Sequence, residues 1–171
     1  MVARRIISSF LMGISFVLLL SLSSCYSFSG VSIDPNVRTY YVAQFKNNAL
    51  NSVPVLEQTV TEALKEKIRT ESRLIYDETN PDIEFDGSIV DFRITSEAPQ
   101  PGETTAINRL TIVTAVEYIN NFDEEKGWKS NFSFFFDFPS SQDLSQVQDE
   151  AIDVILNQMM EDIFNKAFTD W

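Results

Sequence analysis

Trp128-Lys129-Ser130-Asn131-Phe132-Ser133-Phe134-Phe135-Phe136-Asp137-Phe138 is the stretch that decides the fold. Trp128, Ser130, Phe132, Phe134, Phe136 and Phe138 fall on one parity, and Lys129, Asn131, Ser133, Phe135 and Asp137 on the other. A period of two is the mark of a β-strand with one buried and one wet face, so this segment predicts a strand with a phenylalanine-rich core side. Working upstream, Leu110–Ile119 predicts a second strand, joined to the first across the acidic turn Asn120–Gly127. Before it, Ile83, Phe85, Gly87 and Ile89 alternate with Glu84, Asp86 and Ser88. From Val90 the apolar set shifts to Val90, Phe92 and Ile94, which predicts a bulge near Ile89–Val90 or a strand end buried on both faces. The loop Glu97–Thr105, holding Pro99, Pro101 and Gly102, separates this strand from the next.

The flanking segments supply the other layer. Thr39–Phe45 is aromatic and β-branched and ends at the turn residues Lys46-Asn47-Asn48, predicting a strand. Leu56, Val60, Ala63, Leu64 and Ile68 then recur at helical spacing, with Pro54 expected in the first turn, where a missing N–H costs nothing. Lys65, Lys67, Arg69 and Arg73 crowd the expected C-terminal turns, where cations complement the helix dipole; a phosphate patch is the alternative reading. After capping residues in Ser140–Gln148, a stripe from Val147 through Ile155, Met159, Ile163 and Ala167, widened by Leu156, Met160, Phe164, Phe168 and Trp171, predicts a long closing helix. The expected fold class is therefore α+β, a two-layer sandwich of two helices on a four-stranded mixed sheet, in the order β-α-β-β-β-α. The helical connection between the first two strands is the natural place for a parallel pairing.

The N-terminus carries an address. Arg4 and Arg5 precede the apolar run Ile6–Leu20, and Leu22-Ser23-Ser24-Cys25 closes it. This is shorter than the roughly 20 apolar residues of a membrane span and fits a cleaved signal. The Leu-Ser-Ser-Cys tetrad resembles a lipobox, which implies cleavage before Cys25 and a covalent diacylglycerol and N-acyl chain on that residue. The expected organisation is a signal peptide over 1–24, a lipidated tether over 25–37 and one domain over 38–171. Removing Arg4 and Arg5 from 13 basic residues leaves 11 against 25 acidic ones, a formal charge of −14 on the mature chain. That balance argues against nucleic acid as a partner.

Catalytic chemistry finds little material. The sequence contains no histidine and one cysteine, so the commonest general base, zinc ligand and thiol nucleophile are missing. Phosphate-cradling glycine loops, nucleophile elbows and metal-ligand spacings are also missing, which predicts no catalytic residue, no metal and no non-covalent cofactor. The acidic pairs Glu84/Asp86 and Asp123/Glu124 read as strand-face and turn residues rather than a glycosidase pair.

Against this background, Cys25-Tyr26-Ser27-Phe28-Ser29-Gly30 resembles the mature start of the LptE family of outer-membrane lipoproteins. Glu103 to Ile112, with Asn108-Arg109-Leu110-Thr111 at its centre, resembles the family's entry into its third strand. Glu161-Asp162-Ile163-Phe164-Asn165-Lys166-Ala167 with Trp171 resembles its closing helix, and the ordered set is most similar to the Bacteroidota branch. The resemblance implies an outer-membrane, lipid-anchored, periplasm-facing protein that plugs the LptD β-barrel and assists lipopolysaccharide assembly without covalent chemistry. It names lipopolysaccharide as a candidate ligand, for which Arg93, Arg109 and Lys129 are the candidate contacts. The competing reading is a periplasmic lipid-binding carrier lipoprotein, with the aromatic strand face lining a cavity instead of a core.

Overall fold

The computed structural model describes residues 32–98 and 106–169. Their elements are β1 (Thr39–Val42), β2 (Lys46–Asn47), α1 (Leu56–Glu71), β3 (Ile75–Tyr76), β4 (Ile83–Glu97), β5 (Ile107–Asn120), a 3₁₀ turn (Glu124–Lys126), β6 (Trp128–Pro139) and α2 (Leu144–Phe168). The strands form one mixed sheet in the order β3-β1-β4-β5-β6, with β2 also beside β4, and the two helices pack on it. The long strands β4, β5 and β6 make an antiparallel meander, whereas β1 and β2 run parallel to β4. The expected helical crossover from the first strand to the strand beside it is thus present.

The sheet has six strands, not the four expected. One extra strand is Lys46–Asn47, expected as a turn: the first strand ends at Val42, the Phe45 N–H donates to Thr61 Oγ1 at 3.0 Å, and pairing resumes at Lys46–Asn47 opposite Ser88–Ile89. The other is Ile75–Tyr76, which pairs with Thr39–Tyr40 directly after α1. Two-residue strands contain one alternation at most, so periodicity cannot reveal them. Of the two readings of the phase shift at Ile89–Val90, the bulge is the one observed: the β4–β5 register shifts between Ile89 and Asp91. Residues 83, 85 and 89 are buried before it, and Phe92 after it, so the inserted residue restores the core parity.

Helix boundaries also moved. Pro54 lies before α1 rather than in its first turn, and Arg73 lies beyond its end, where the guanidinium donates to the Asp34 carbonyl at 2.7 Å. The capping expectation for α2 is met by Asp143 and Gln146, which form a reciprocal capping box.

One face of the sheet and both helices enclose the core. Leu56, Leu64, Ile68, Phe85, Ile112, Ile155 and Met159 are fully buried, and Thr114 Oγ1 lies 3.1 Å from Met159 Sδ across the sheet–helix boundary. The β6 aromatics face inward as the alternation requires, with Phe132 and Phe138 buried and Phe134 and Phe136 packed against the same cluster. Space that a carrier would need for an acyl chain is occupied by side chains here. Phe85, Tyr118, Trp128, Phe164 and Phe168 form a chain of ring contacts at the α2 C-terminus. Burial at this end pushes the Tyr118 hydroxyl up to about 12. Between the helices, Lys67 bonds Glu71 at 2.7 Å and also pairs with Glu161; burial opposes its charge, but the two carboxylates outweigh it and raise its pKa.

Asp82 locks the start of β1 to the start of β4. Its carboxylate accepts from the N–H groups of Arg38 at 2.7 Å and Thr39 at 3.0 Å, while its own N–H donates to Thr39 Oγ1 at 2.9 Å. The Arg38 N–H is the main cause that holds this carboxyl below its usual value. A folded-state pKa below the unfolded one gives stability that is complete above the unfolded value, about 3.9, and is lost as pH falls through the folded value. Asp82→Asn is therefore expected to lower the melting temperature most above about pH 5 and progressively less toward about pH 2, flattening the acid limb of the profile. An unchanged acid limb would remove Asp82 from the account.

Candidate functional site

The helices cover one face of the sheet; the other face carries the opposite parity of β4, β5 and β6. Register sets its side chains in rows: Asp86, Glu117 and Lys129; Ser88, Ala115 and Asn131; Arg93, Thr111 and Phe135; Thr95, Arg109 and Asp137. The three residues singled out from sequence, Arg93, Arg109 and Lys129, all lie on this face. Each has a carboxylate partner. Arg93 pairs with Asp91, Lys129 with Glu117 at 2.9 Å, and Arg109 grips Asp137 through Nε and Nη2 at 2.7 and 2.8 Å. The Arg109 guanidinium also stacks 3.8 Å over the Phe135 ring. Its hydrogen bond is the leading cause that lowers the Asp137 carboxyl pKa. The three cations are thus neutralised by carboxylates, and the face is a polar hydrogen-bonding surface rather than a basic patch.

A groove of about 650 Å³ crosses it from Lys46 and Asn48 to Lys129 and Asn131, with Gly87, Ser88 and Ala115 along the floor and Asp86 and Glu117 beside them. Small floor residues let a partner's backbone or a polar ligand approach the sheet closely. The sequence alone does not show this groove, because Lys46 and Asn48 read as turn residues; the break at Phe45 brings Lys46 back to the β4 edge. Among the described residues no group of histidine, cysteine, aspartate and glutamate could hold a metal ion.

The two ends of the sheet differ. Ala98 and Ala106, at the two sides of the β4–β5 connection, lie at one end, with Ile94 exposed near them; Asn47–Val53 leaves the sheet opposite Ile89, midway along β4, with Leu50 exposed. The β5–β6 turn lies at the end opposite the β4–β5 connection, because an antiparallel meander alternates its turns. At that other end the chain enters the body. Ser32 N–H donates to the Phe168 carbonyl at 2.6 Å, Arg73 holds the Asp34 carbonyl, and Val37 is buried. The Asp34 carboxylate accepts from the Asn36 N–H at 2.9 Å, the leading cause that lowers its pKa. Residues 32–37, expected within the tether, are therefore packed against the body. Cys25, Glu103–Thr105 and Trp171 lie outside the described residues. No helix among the described residues is long and apolar enough to cross a membrane.

Several solved structures are similar in outline. A hypothetical protein from Chlamydia trachomatis is 8% identical with a TM-score of 0.46, covering 77% of this chain and 98% of that one. A minor lipoprotein from Acinetobacter baumannii is 11% identical with a TM-score of 0.43, covering 78% and 97%. Lipoprotein B from Nitrosomonas europaea is 13% identical with a TM-score of 0.42, covering 76% and 79%. Comparison with curated proteins finds no significant match. The decisive likeness is to a family: residues 37–167, from the buried Val37 to the last turn of α2, match LptE, lipopolysaccharide-assembly, throughout. The chain belongs to the LptE family and is a non-enzymatic lipopolysaccharide-assembly lipoprotein of the bacterial envelope.

Proposed function

We propose that this protein is lipidated at Cys25, faces the periplasm from the outer membrane, and plugs the lumen of an LptD-type β-barrel to assist lipopolysaccharide insertion. The observation that carries the proposal is the uncovered sheet face, a polar surface on which Arg109 and Lys129 are paired with carboxylates across strands and Arg93 with Asp91 within β4. The interior of a large outer-membrane barrel is polar and wet, and a plug must offer it hydrogen bonds without stranding a charge. Family membership supports the same reading, and the likeness to the Bacteroidota branch belongs to it. Arg93, Arg109 and Lys129 are the proposed glycolipid contacts, and each would exchange its present carboxylate for a phosphate to serve as one.

The test is to tag the C-terminus, extract envelopes in mild detergent and identify what co-purifies in near-equal amount. A large outer-membrane barrel is expected. Ala115→Arg, which fills the groove floor from the solvent side, is expected to lower barrel recovery by about tenfold while circular dichroism stays unchanged. Recovery of the wild-type protein alone, or with a stoichiometric lipid, would replace the plug by the carrier.

A further inference from the structure

We infer that two copies of this chain pair through β6, antiparallel and centred on Ser133, so that their sheets join into one. β6 is the last strand of the sheet, and among the described residues no strand pairs with its outer side. Register shows which backbone groups are open there. The Ser140 N–H donates to the Ala106 carbonyl, so the even-numbered residues of β6 bond to β5, and the N–H and C=O groups of Lys129, Asn131, Ser133, Phe135 and Asp137 point outward. Pro139, which has no N–H, falls on the same outward parity, where a sheet edge tolerates proline. From Ser130 to Phe136 the strand holds no charge, no proline and no glycine, so it lacks the devices that usually keep another strand away from an edge. A row of open backbone groups of this kind is satisfied by a second extended strand.

The edge is complementary to itself, which makes a second copy the partner. With Ser133 opposite the second copy's Ser133, Lys129 falls opposite Asp137, Asn131 opposite Phe135, and Phe132 opposite Phe134. Within one copy Lys129 already pairs with Glu117, and Asp137 with Arg109. The open face of the joined sheet therefore carries Glu117 and Lys129 of one copy and Asp137 and Arg109 of the other in a single row of alternating sign, and the two-fold axis repeats that row. On the helix side Phe134 and Phe136, half-buried in one copy, gain cover. The negative charge of the whole chain is screened over about 8 Å at physiological salt, so these local pairs decide. A barrel lumen takes one copy under the proposal above, so the pair is the form of the protein apart from the barrel, and either can hold without the other.

The experiment co-expresses full-length chains carrying two different C-terminal tags, extracts them in mild detergent and purifies through one tag. The second tag is expected to follow in the wild-type protein. Lys129→Asp in both copies sets like charges against Asp137 at both ends and is expected to lower that recovery about tenfold or more; Asp137→Lys in both copies acts likewise against Lys129. One copy with Lys129→Asp and the other with Asp137→Lys are expected to recover each other, because opposite charges then face at both ends. Ser133→Pro is expected to abolish pairing while circular dichroism stays unchanged, since the Ser133 N–H makes no bond to β5. Recovery of no second copy, recovery that none of these variants lowers, or failure of the two charge variants to restore each other overturns the dimer. Loss of the barrel with Ser133→Pro, without any pairing of copies, gives the edge to the barrel instead.

Discussion

Phe164→Ala is expected to lower the unfolding free energy by about 3–5 kcal/mol, the range for emptying a large aromatic site in a core that cannot collapse around it. Phe164 is 2% exposed, meets Phe168 edge-on at a centroid distance of 4.9 Å, and lies under Lys67 Nζ at 5.6 Å. Its removal therefore strikes three things together. It opens a void between α1 and α2, frees the ring that seals the tether end, and leaves the Lys67–Glu161 pair without its apolar backing. Domains of this size are stable by about 5–15 kcal/mol, so the variant should be marginal. Urea unfolding followed by far-ultraviolet circular dichroism gives the number, and a midpoint change worth less than about 1 kcal/mol would mean that the helix layer repacks freely.

Gly87→Ala is expected to cost about 1–3 kcal/mol although it adds one methyl group. A Cβ at Gly87 would stand 2.4 Å from Phe45 Cε1 and 2.8 Å from the Ala115 carbonyl oxygen. Phe45 is fully buried and its backbone is tied to Thr61, so the ring cannot retreat into solvent. The missing side chain is what allows the ring between β1 and β2 to cross β4. Phe45→Leu should therefore relieve part of the Gly87→Ala penalty in a double-mutant cycle, with the remainder set by the Ala115 backbone. Thermal unfolding of the four proteins checks this, and strictly additive changes would show that ring and glycine are not in contact.

These two positions mark where sequence reading works and where it stops. The Phe164 burial follows from the closing-helix stripe, because a face repeated every three or four residues over 25 positions has few other places to go. Gly87 was read only as one member of an alternating strand. Its role depends on a residue 42 positions earlier leaving its own ladder, a tertiary event with no local periodicity. The same holds at the open face. Arg109 and Lys129 could be named as exposed cations, but their carboxylate partners come from register: Glu117 reaches Lys129 and Asp137 reaches Arg109 only because β5 pairs with β6 as it does. Arg93 differs, because Asp91 stands two residues before it on the same face of β4.

By itself the sequence determined the two helices, the long strands, the parallel first pairing and the scarcity of catalytic side chains, since each is set by periodicity or composition within a short window. The tertiary structure decided between a bulge and a doubly buried strand end at Ile89–Val90, and it decided the six-stranded count, the groove beside Lys46, the pairing of Arg109 and Lys129 on the open face, and the placing of the β5–β6 turn beside the entering chain. Those depend on contacts between residues far apart in sequence, whose geometry is fixed only when the strands find their register and the core closes.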